Sequence, residues 1–247
     1  MTSALSIVAV GFILGMRHAT DPDHVIAVTT IMSRQRNLSR AALTGLWWGI
    51  GHTLTIFVVG TAIILLEVVV PARLGLSMEL SVGLMLIVLG VINIASFLRS
   101  ARSLNVHDHG HAPETHPHGA NHTPLIWLDR VCGRTDLYQH LRPLVVGVVH
   151  GLAGSAAVAL LVLATIGNPR WAIAYLLVFG VGTVAGMMLI TMSIASAFGF
   201  IGNRHERFSH RLGLASGLVS VAFGIVLAYQ IAVASGLFTA IRDGTPR

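Results

Sequence analysis

Residues 17–24 read Arg17-His18-Ala19-Thr20-Asp21-Pro22-Asp23-His24, and they interrupt an otherwise apolar stretch that runs from about Ala4 to Ser33. Neither flank alone reaches across ~30 Å of hydrocarbon at ~1.5 Å per residue, so the two are expected to form one crossing with a break inside it. Pro22 supplies the break: it lacks a backbone donor, its ring clashes with the carbonyl of His18, and it biases Asp21 away from helical dihedrals. On an intact helix His18 and His24 would stand about 240° apart around the axis and could not share a ligand. Unwinding between His18 and Asp23 lets their side chains converge and is expected to free backbone carbonyls. Such backbone is tolerated at depth only where protein or a water-filled cavity covers it. No positive residue precedes the apolar run, and Arg17 and His18 fall where a signal-peptide cleavage region would lie, so the segment is expected to remain as a span.

Outward from this stretch, the chain is mostly apolar. Of 247 residues, 54% are apolar and 11% charged, with a mean hydropathy of +0.76, which excludes an ordinary soluble domain. Stretches free of Asp, Glu and Arg run over Ala41 to Leu66, Leu80 to Leu98, Pro143 to Pro169, Trp171 to Asn203 and Leu212 to Ile241. With the broken first segment they predict an all-α, polytopic integral membrane protein of six transmembrane helices. All 16 basic residues are Arg; against 10 acids they give a formal charge of +6. They lie between apolar runs, so they orient helices and imply no nucleic acid. Eleven follow helices 1, 3 and 5, among them Arg34, Arg99 and Arg204, and four (Arg73, Arg170, Arg242 and Arg247) lie on the opposite side. That bias puts the odd-numbered connections in the cytoplasm and both termini outside the cytoplasmic membrane. The single Cys132 excludes an internal disulfide and a thiolate metal site.

The chain also repeats itself. GMRHATDPDHVIAVTTI from Gly15 aligns with GVVHGLAGSAAVALLVL from Gly147, superposing His18 on His150. GIGHT at Gly49 aligns with GVGTV at Gly180, and the Gly83 and Gly90 pair with that of Gly217 and Gly224. Offsets of 132, 131 and 134 residues divide the chain into a first three-helix repeat (1–98), a cytoplasmic connector with an interfacial segment (99–141) and a second three-helix repeat (142–247). An odd number of crossings inverts the second half relative to the first, the 3+3 inverted repeat of secondary transporters, with the substrate site near the midplane on broken helices. GxxxG pairs at Gly11/Gly15, Gly45/Gly49, Gly147/Gly151, Gly182/Gly186 and Gly213/Gly217 read as close helix packing.

Ionisable groups at membrane depth are expensive, which makes His18, Asp21, Asp23 and His24 candidates for function. Two carboxylates and two imidazoles suit a cation. His52, in the second helix, and His150, the repeat mate of His18, are further ligands or gates; the bland alternative for each is a hydrogen-bonded core histidine. Imidazole with a few oxygens fits nickel, cobalt, zinc or copper better than magnesium or calcium. Asp21 and Asp23 either offset the dication's charge or hold a ligating His in one tautomer. In the connector, VHDHGHAPETHPHGANH carries His107, His109, His111, His116, His118 and His122, an accessory metal-collecting or sensing tract or else a solvated spacer. No GxxxxGK[ST], HExxH or GxSxG motif occurs, so neither a built-in ATP drive nor an enzyme is expected.

The stretch RHATDPDHV, with His18, Asp23 and His24 in its spacing, resembles the signature of the nickel/cobalt transporter family, and GIGHT with His52 is similar to that family's second motif. Pro22 stands where the family usually has Ala. VVHGLAGSAA, in place of the acidic third motif, resembles the short six-helix, urease-associated nickel-permease branch. The resemblance implies uptake of nickel or cobalt ions through the cytoplasmic membrane, with the first-helix signature recognising the metal. The ion would then be cargo, with no cofactor, and would leave inward as the inverted halves rock about the site. Expected partners are the divalent ion, the lipid bilayer and either a cytoplasmic metal chaperone or further copies of the chain. Two alternatives carry different chemistry: a nickel/cobalt efflux permease, and a haem-binding electron carrier using His18, His52 and His150 as axial ligands.

Overall fold

The structure is a computed structural model that describes residues 4–33, 35, 37–66, 71–104, 141–153, 166, 168–204 and 206–234. Every regular element among them is helical: α1 (Ala4–His18), α2 (Pro22–Met32), α3 (Leu38–Leu66), α4 (Ala72–Leu104), α5 (Leu141–Ala153), α6 (Pro169–Arg204) and α7 (Glu206–Tyr229), the last continued by a π-helical turn, Gln230–Ala234. Four of these, α3, α4, α6 and α7, contain stretches long and apolar enough to cross a membrane. The expected fourth crossing, Pro143 to Pro169, is described only as α5 and around Pro169; the remainder lies outside the described residues, as does the histidine tract His107 to His122.

The first span is broken where the proline predicts. α1 stops at His18 and α2 starts at Pro22. Asp21, held before the proline ring, has φ −59° and ψ 145°, the extended conformation a following proline imposes. Proline then serves as the first helical residue, where its missing donor costs nothing. The break is tighter than expected. The Arg17 carbonyl accepts from Thr20 N at 2.8 Å and Thr20 Oγ1 at 2.6 Å, the His18 carbonyl from Asp21 N at 3.1 Å, and the Asp21 carbonyl from Val25 N at 3.0 Å. The Arg17, His18 and Asp21 carbonyls are therefore engaged in local bonds, and these three are not the freed carbonyls that were expected. α4 starts at Ala72, well ahead of the expected Leu80, because Arg73 and Glu79 bar hydrocarbon but not a helix. Asn37 Oδ1 accepts from Arg40 N at 3.1 Å at the start of α3, and Asn168 Oδ1 from Arg170 N at 3.0 Å at the start of α6, both orphan donors of a first turn.

Glycines set how the helices meet. α3 and α6 run antiparallel, Gly45 lying against Met187 and Thr191, Gly49 against Val184, and Thr53 against Gly180. α1 follows α6 in parallel, Gly11 beside Tyr175, Gly15 against the Phe179 backbone, and Ala19 at Gly186. α5 follows α3 in parallel, Gly147 at the Trp48 carbonyl and Gly151 at His52 and Thr55. α4 and α7 are antiparallel, with Gly83 at Gly224 and Gly90 at Gly217. Lipid tails are as apolar as the side chains, so such close backbone approach, not solvent exclusion, binds helices together. Outward-facing residues are correspondingly greasy, Ile13, Val58, Leu65, Val181 and Ile225 among them, whereas His24, His52 and His150 are buried. Depth follows from these contacts. Ala19 meets Gly186 near the middle of the 32-residue stretch Pro169–Phe200, and His52 is the central residue of the 29 in α3.

Candidate metal centre

The six candidate residues read from the sequence of the first, second and fourth segments come together at that level. His18 ends α1, Asp21 stands in the break, Asp23 and His24 open α2, His52 comes from α3 and His150 from α5. The imidazoles are packed against one another: the His24 ring centroid lies 4.1 Å from that of His150 and 4.9 Å from those of His18 and His52, while His18 and His52 are 5.2 Å apart. Two overlapping groups could hold an ion, His18 with His24 and His52, and Asp23 with His24 and His150; within each, one ligand atom per residue lies within 4.8 Å of the others. His24 belongs to both.

The carboxylates hold the rings. Asp21 Oδ2 lies 2.8 Å from His18 Nδ1. Asp23 Oδ1 accepts the His24 backbone N–H at 3.0 Å and lies 3.2 Å from His24 Nδ1, and its Oδ2 lies 2.9 Å from His150 Nε2. Asp23 also sits in the first turn of α2, where the helix dipole favours negative charge. His18 Nε2 and His52 Nε2 are 3.1 Å apart.

Tautomers can be assigned from these partners. Nitrogens facing a carboxylate carry the proton, so His18 donates through Nδ1, His24 through Nδ1 and His150 through Nε2. His18 Nε2 is then an acceptor, and His52 must donate to it through its own Nε2. What remains is a bare lone pair on His24 Nε2, His52 Nδ1 and His150 Nδ1, and these three buried nitrogens have no hydrogen-bond partner among the described residues. Leaving a buried polar atom unpaired costs about 1–3 kcal/mol. All three are acceptors, the kind of atom a transition-metal cation takes as a ligand; the buried Trp48 Nε1, on the ring beside His150, is an unpartnered donor among the described residues.

Exposure falls through the cluster. The Asp21 side chain is 48% exposed, Asp23 30% and His18 17%, against 2% for His24 and His150. Two neighbours have no motif to announce them. The Phe179 ring lies 5.4 Å from that of His18, and the buried Trp48 ring 5.9 Å from that of His150. Their sequence positions are repeat mates, 131 residues apart; that offset is the one signal that links them.

Helices whose outward faces are apolar and which gather four imidazoles and one partly buried carboxylate, Asp23, with the half-exposed Asp21 beside them, define a multi-pass membrane protein with a candidate cation centre. A family model described as high-affinity nickel-transport protein, NicO, matches residues 4–241. The chain belongs to this nickel-transport family. It is 36% identical over 234 residues, covering 95% of both chains, to the urease accessory protein UreH of Bacillus sp. (strain TB-90). No solved structure matches it.

Proposed function

We propose that the chain imports a divalent transition metal, nickel and secondarily cobalt, across the cytoplasmic membrane, with His18, Asp21, Asp23, His24, His52 and His150 replacing the ion's water. The observation that carries this reading is the set of buried imidazole nitrogens on His24, His52 and His150 without a hydrogen-bond partner among the described residues, two of them on rings whose other nitrogen is held by the Asp23 carboxylate. The half-exposed Asp21 and the partly exposed His18 give an ion a first anionic contact before it reaches the buried rings. The same geometry argues against an axial-ligand role in a haem carrier. Ring centroids 4.1–5.9 Å apart leave no slot for a macrocycle between them.

Six crossings in a 3+3 inverted repeat, with halves 1–98 and 142–247 joined by 99–141, fit the contacts. Gly15 meets Phe179 as Gly147 meets Trp48, Gly182 meets Phe12 as Gly51 meets Leu144, and Gly83 meets Gly224 as Gly90 meets Gly217. Each pair becomes the other under the offsets of the sequence repeat. α1 parallel to α6 and α5 parallel to α3 are the directions six alternating crossings require. The arginine bias supports outside termini, and with the interior negative a dication gains about 4.6 kcal/mol per 100 mV on entering. The histidine tract His107, His109, His111, His116, His118 and His122 serves as a cytoplasmic collector, to be passed to a chaperone.

The deciding experiment is radioactive nickel and cobalt uptake into proteoliposomes with an imposed potential. Wild type is expected to accumulate nickel faster with the interior negative, and His24→Ala to lose both nickel binding and uptake. Equal transport by the two proteins would refute the assignment. Accumulation only when the gradient is reversed, from lumen to bath, would identify an exporter, and retention of nickel on the protein without movement a sensor.

A further inference from the structure

A second buried polar cluster lies away from the imidazoles. Asn93 of α4 meets both the end of α2 and α7: the hydroxyl of Ser33, the residue that caps α2, shares its proton between the Thr30 carbonyl at 3.0 Å and Asn93 Oδ1 at 3.2 Å, and Asn93 Nδ2 donates to the Gly213 carbonyl at 3.0 Å and to Ser216 Oγ at 3.3 Å. Thr30 Oγ1, on α2, lies 3.3 Å from the Ser216 carbonyl. Ser220 Oγ donates to the Leu86 carbonyl at 2.8 Å and ties α7 to α4. Apolar side chains of α2 pack to both sides, Ala27, Val28 and Met32 sharing a core with Val82, Leu86 and Leu89 of α4 and with Met187 and Ala195 of α6, while the hydrogen bonds just named run to α4 and α7. Directional hydrogen bonds in a low-dielectric interior hold a register, whereas an apolar face tolerates small sliding motions.

The helix held by this cluster opens with Asp23 and His24. The other candidate ligands stand elsewhere: His18 on α1, His52 on α3 and His150 on α5. Those three helices are joined to one another through α6 and α3 by glycines whose added methyl would collide with a neighbouring backbone, at Gly15, Gly45, Gly51 and Gly147. The ligand shell is thus shared between two sets of helices, and the seam runs through the break at Ala19–Asp21. Neither set is one half of the sequence: α1 and α3 precede the connector and α5 and α6 follow it, while α2 and α4 precede it and α7 follows.

We propose that Asn93 is a positioning residue that fastens α2 to the α4–α7 pair. The three then move as one body against α1, α3, α5 and α6, withdrawing Asp23 and His24 from His18, His52 and His150 to release the ion. The proposal rests on the nickel-transport reading and replaces rocking of the sequence halves with rocking of mixed bodies. It is tested with a staple between parts that should travel together: Thr30→Cys with Ser216→Cys in a Cys132→Ser background. Nickel uptake by the oxidised protein is expected to stay within about twofold of the same protein reduced. Uptake that stops on oxidation and returns on reduction, or failure of the cross-link to form, would overturn the two-body division. In parallel, Asn93→Leu is expected to slow uptake at least about tenfold while nickel affinity in equilibrium dialysis stays within about threefold of wild type. An unchanged rate, or affinity falling in step with rate, would overturn the role of Asn93. A wild type that neither binds nor carries nickel would bring down the transport reading as well, whereas a wild type that carries nickel beside a blocked staple defeats the present inference alone.

Discussion

His24 is the imidazole about which the centre is organised, since it shares a group with His18 and His52 on one side and with Asp23 and His150 on the other. The two carboxylates differ in what they hold. Asp21 engages one ring, at 2.8 Å, and is half-exposed; Asp23 engages two rings, at 3.2 and 2.9 Å, from the first turn of a helix. Asp21→Asn keeps an oxygen acceptor for His18 Nδ1–H and loses a screened charge, so nickel affinity is expected to drop about tenfold. Asp23→Asn removes the charge nearest the bare nitrogens and gives one of its two rings an amide donor to face, and a loss on the order of 100-fold or more follows. Equilibrium dialysis with nickel checks the order; the reverse order would make Asp21 the ligand. The spacing of His18, Asp23 and His24 announced this chemistry, and the repeat pointed to His150. Which carboxylate holds which ring was illegible, because it depends on the direction in which α5 presents His150 to α2.

Among helices, the proline break and the glycine contacts carry separate weight. Pro22 presets the first residue of α2, but Thr20 on the Arg17 carbonyl and Asp21 on His18 hold the turn as well. Pro22→Ala is therefore expected to cost about 0.4–1 kcal/mol of stability, by freeing the unfolded chain, while nickel affinity changes less than about threefold. A collapse of affinity would mean that the ring alone maintains the break. Gly15→Ala puts a methyl into the backbone of Phe179 and Thr183, while at Gly75 nothing lies within 4 Å. The first is expected to separate α1 from α6 at about 1–3 kcal/mol, and the second to gain about 0.5–1 kcal/mol, as alanine does over glycine inside a helix. Size-exclusion profiles and thermal midpoints in detergent distinguish them. Helix positions were readable from charge-free runs, but their ends were not, since α4 begins at Ala72 with an arginine and a glutamate inside it.

For the molecule as a unit, an apolar exterior around polar groups at mid-depth inverts the pattern of a soluble protein and makes the bilayer its solvent. The histidine tract lies in the sequence between α4 and α5, outside the described residues, and is proposed to collect metal and not to carry it across. Deleting Val106 to His122 is therefore expected to leave most nickel uptake in place at saturating metal, measured in the same proteoliposomes; loss equal to that of His24→Ala would bring the tract into the transport path. Six crossings, by charge-free runs, inverted halves, by periodic glycines, and a His/Asp cluster, by the residues around one proline, were all suggested in the sequence. The grouping of helices into bodies was not, because it follows from which glycine faces which backbone across distances of more than a hundred residues.

Composition and motif spacing were enough to specify a bilayer solvent and a fractured first apolar segment, and to propose a cation chemistry built from imidazole and carboxylate, because each of these follows from local properties: transfer cost, proline sterics and ligand type. The pairing of Asp21 with His18 and of Asp23 with both His24 and His150, the three stranded imidazole nitrogens, and the attachment of α2 through Asn93 came only with the folded chain. They are long-range matters, decided by how close glycine allows two helices to come and by which polar atoms that approach leaves without a partner.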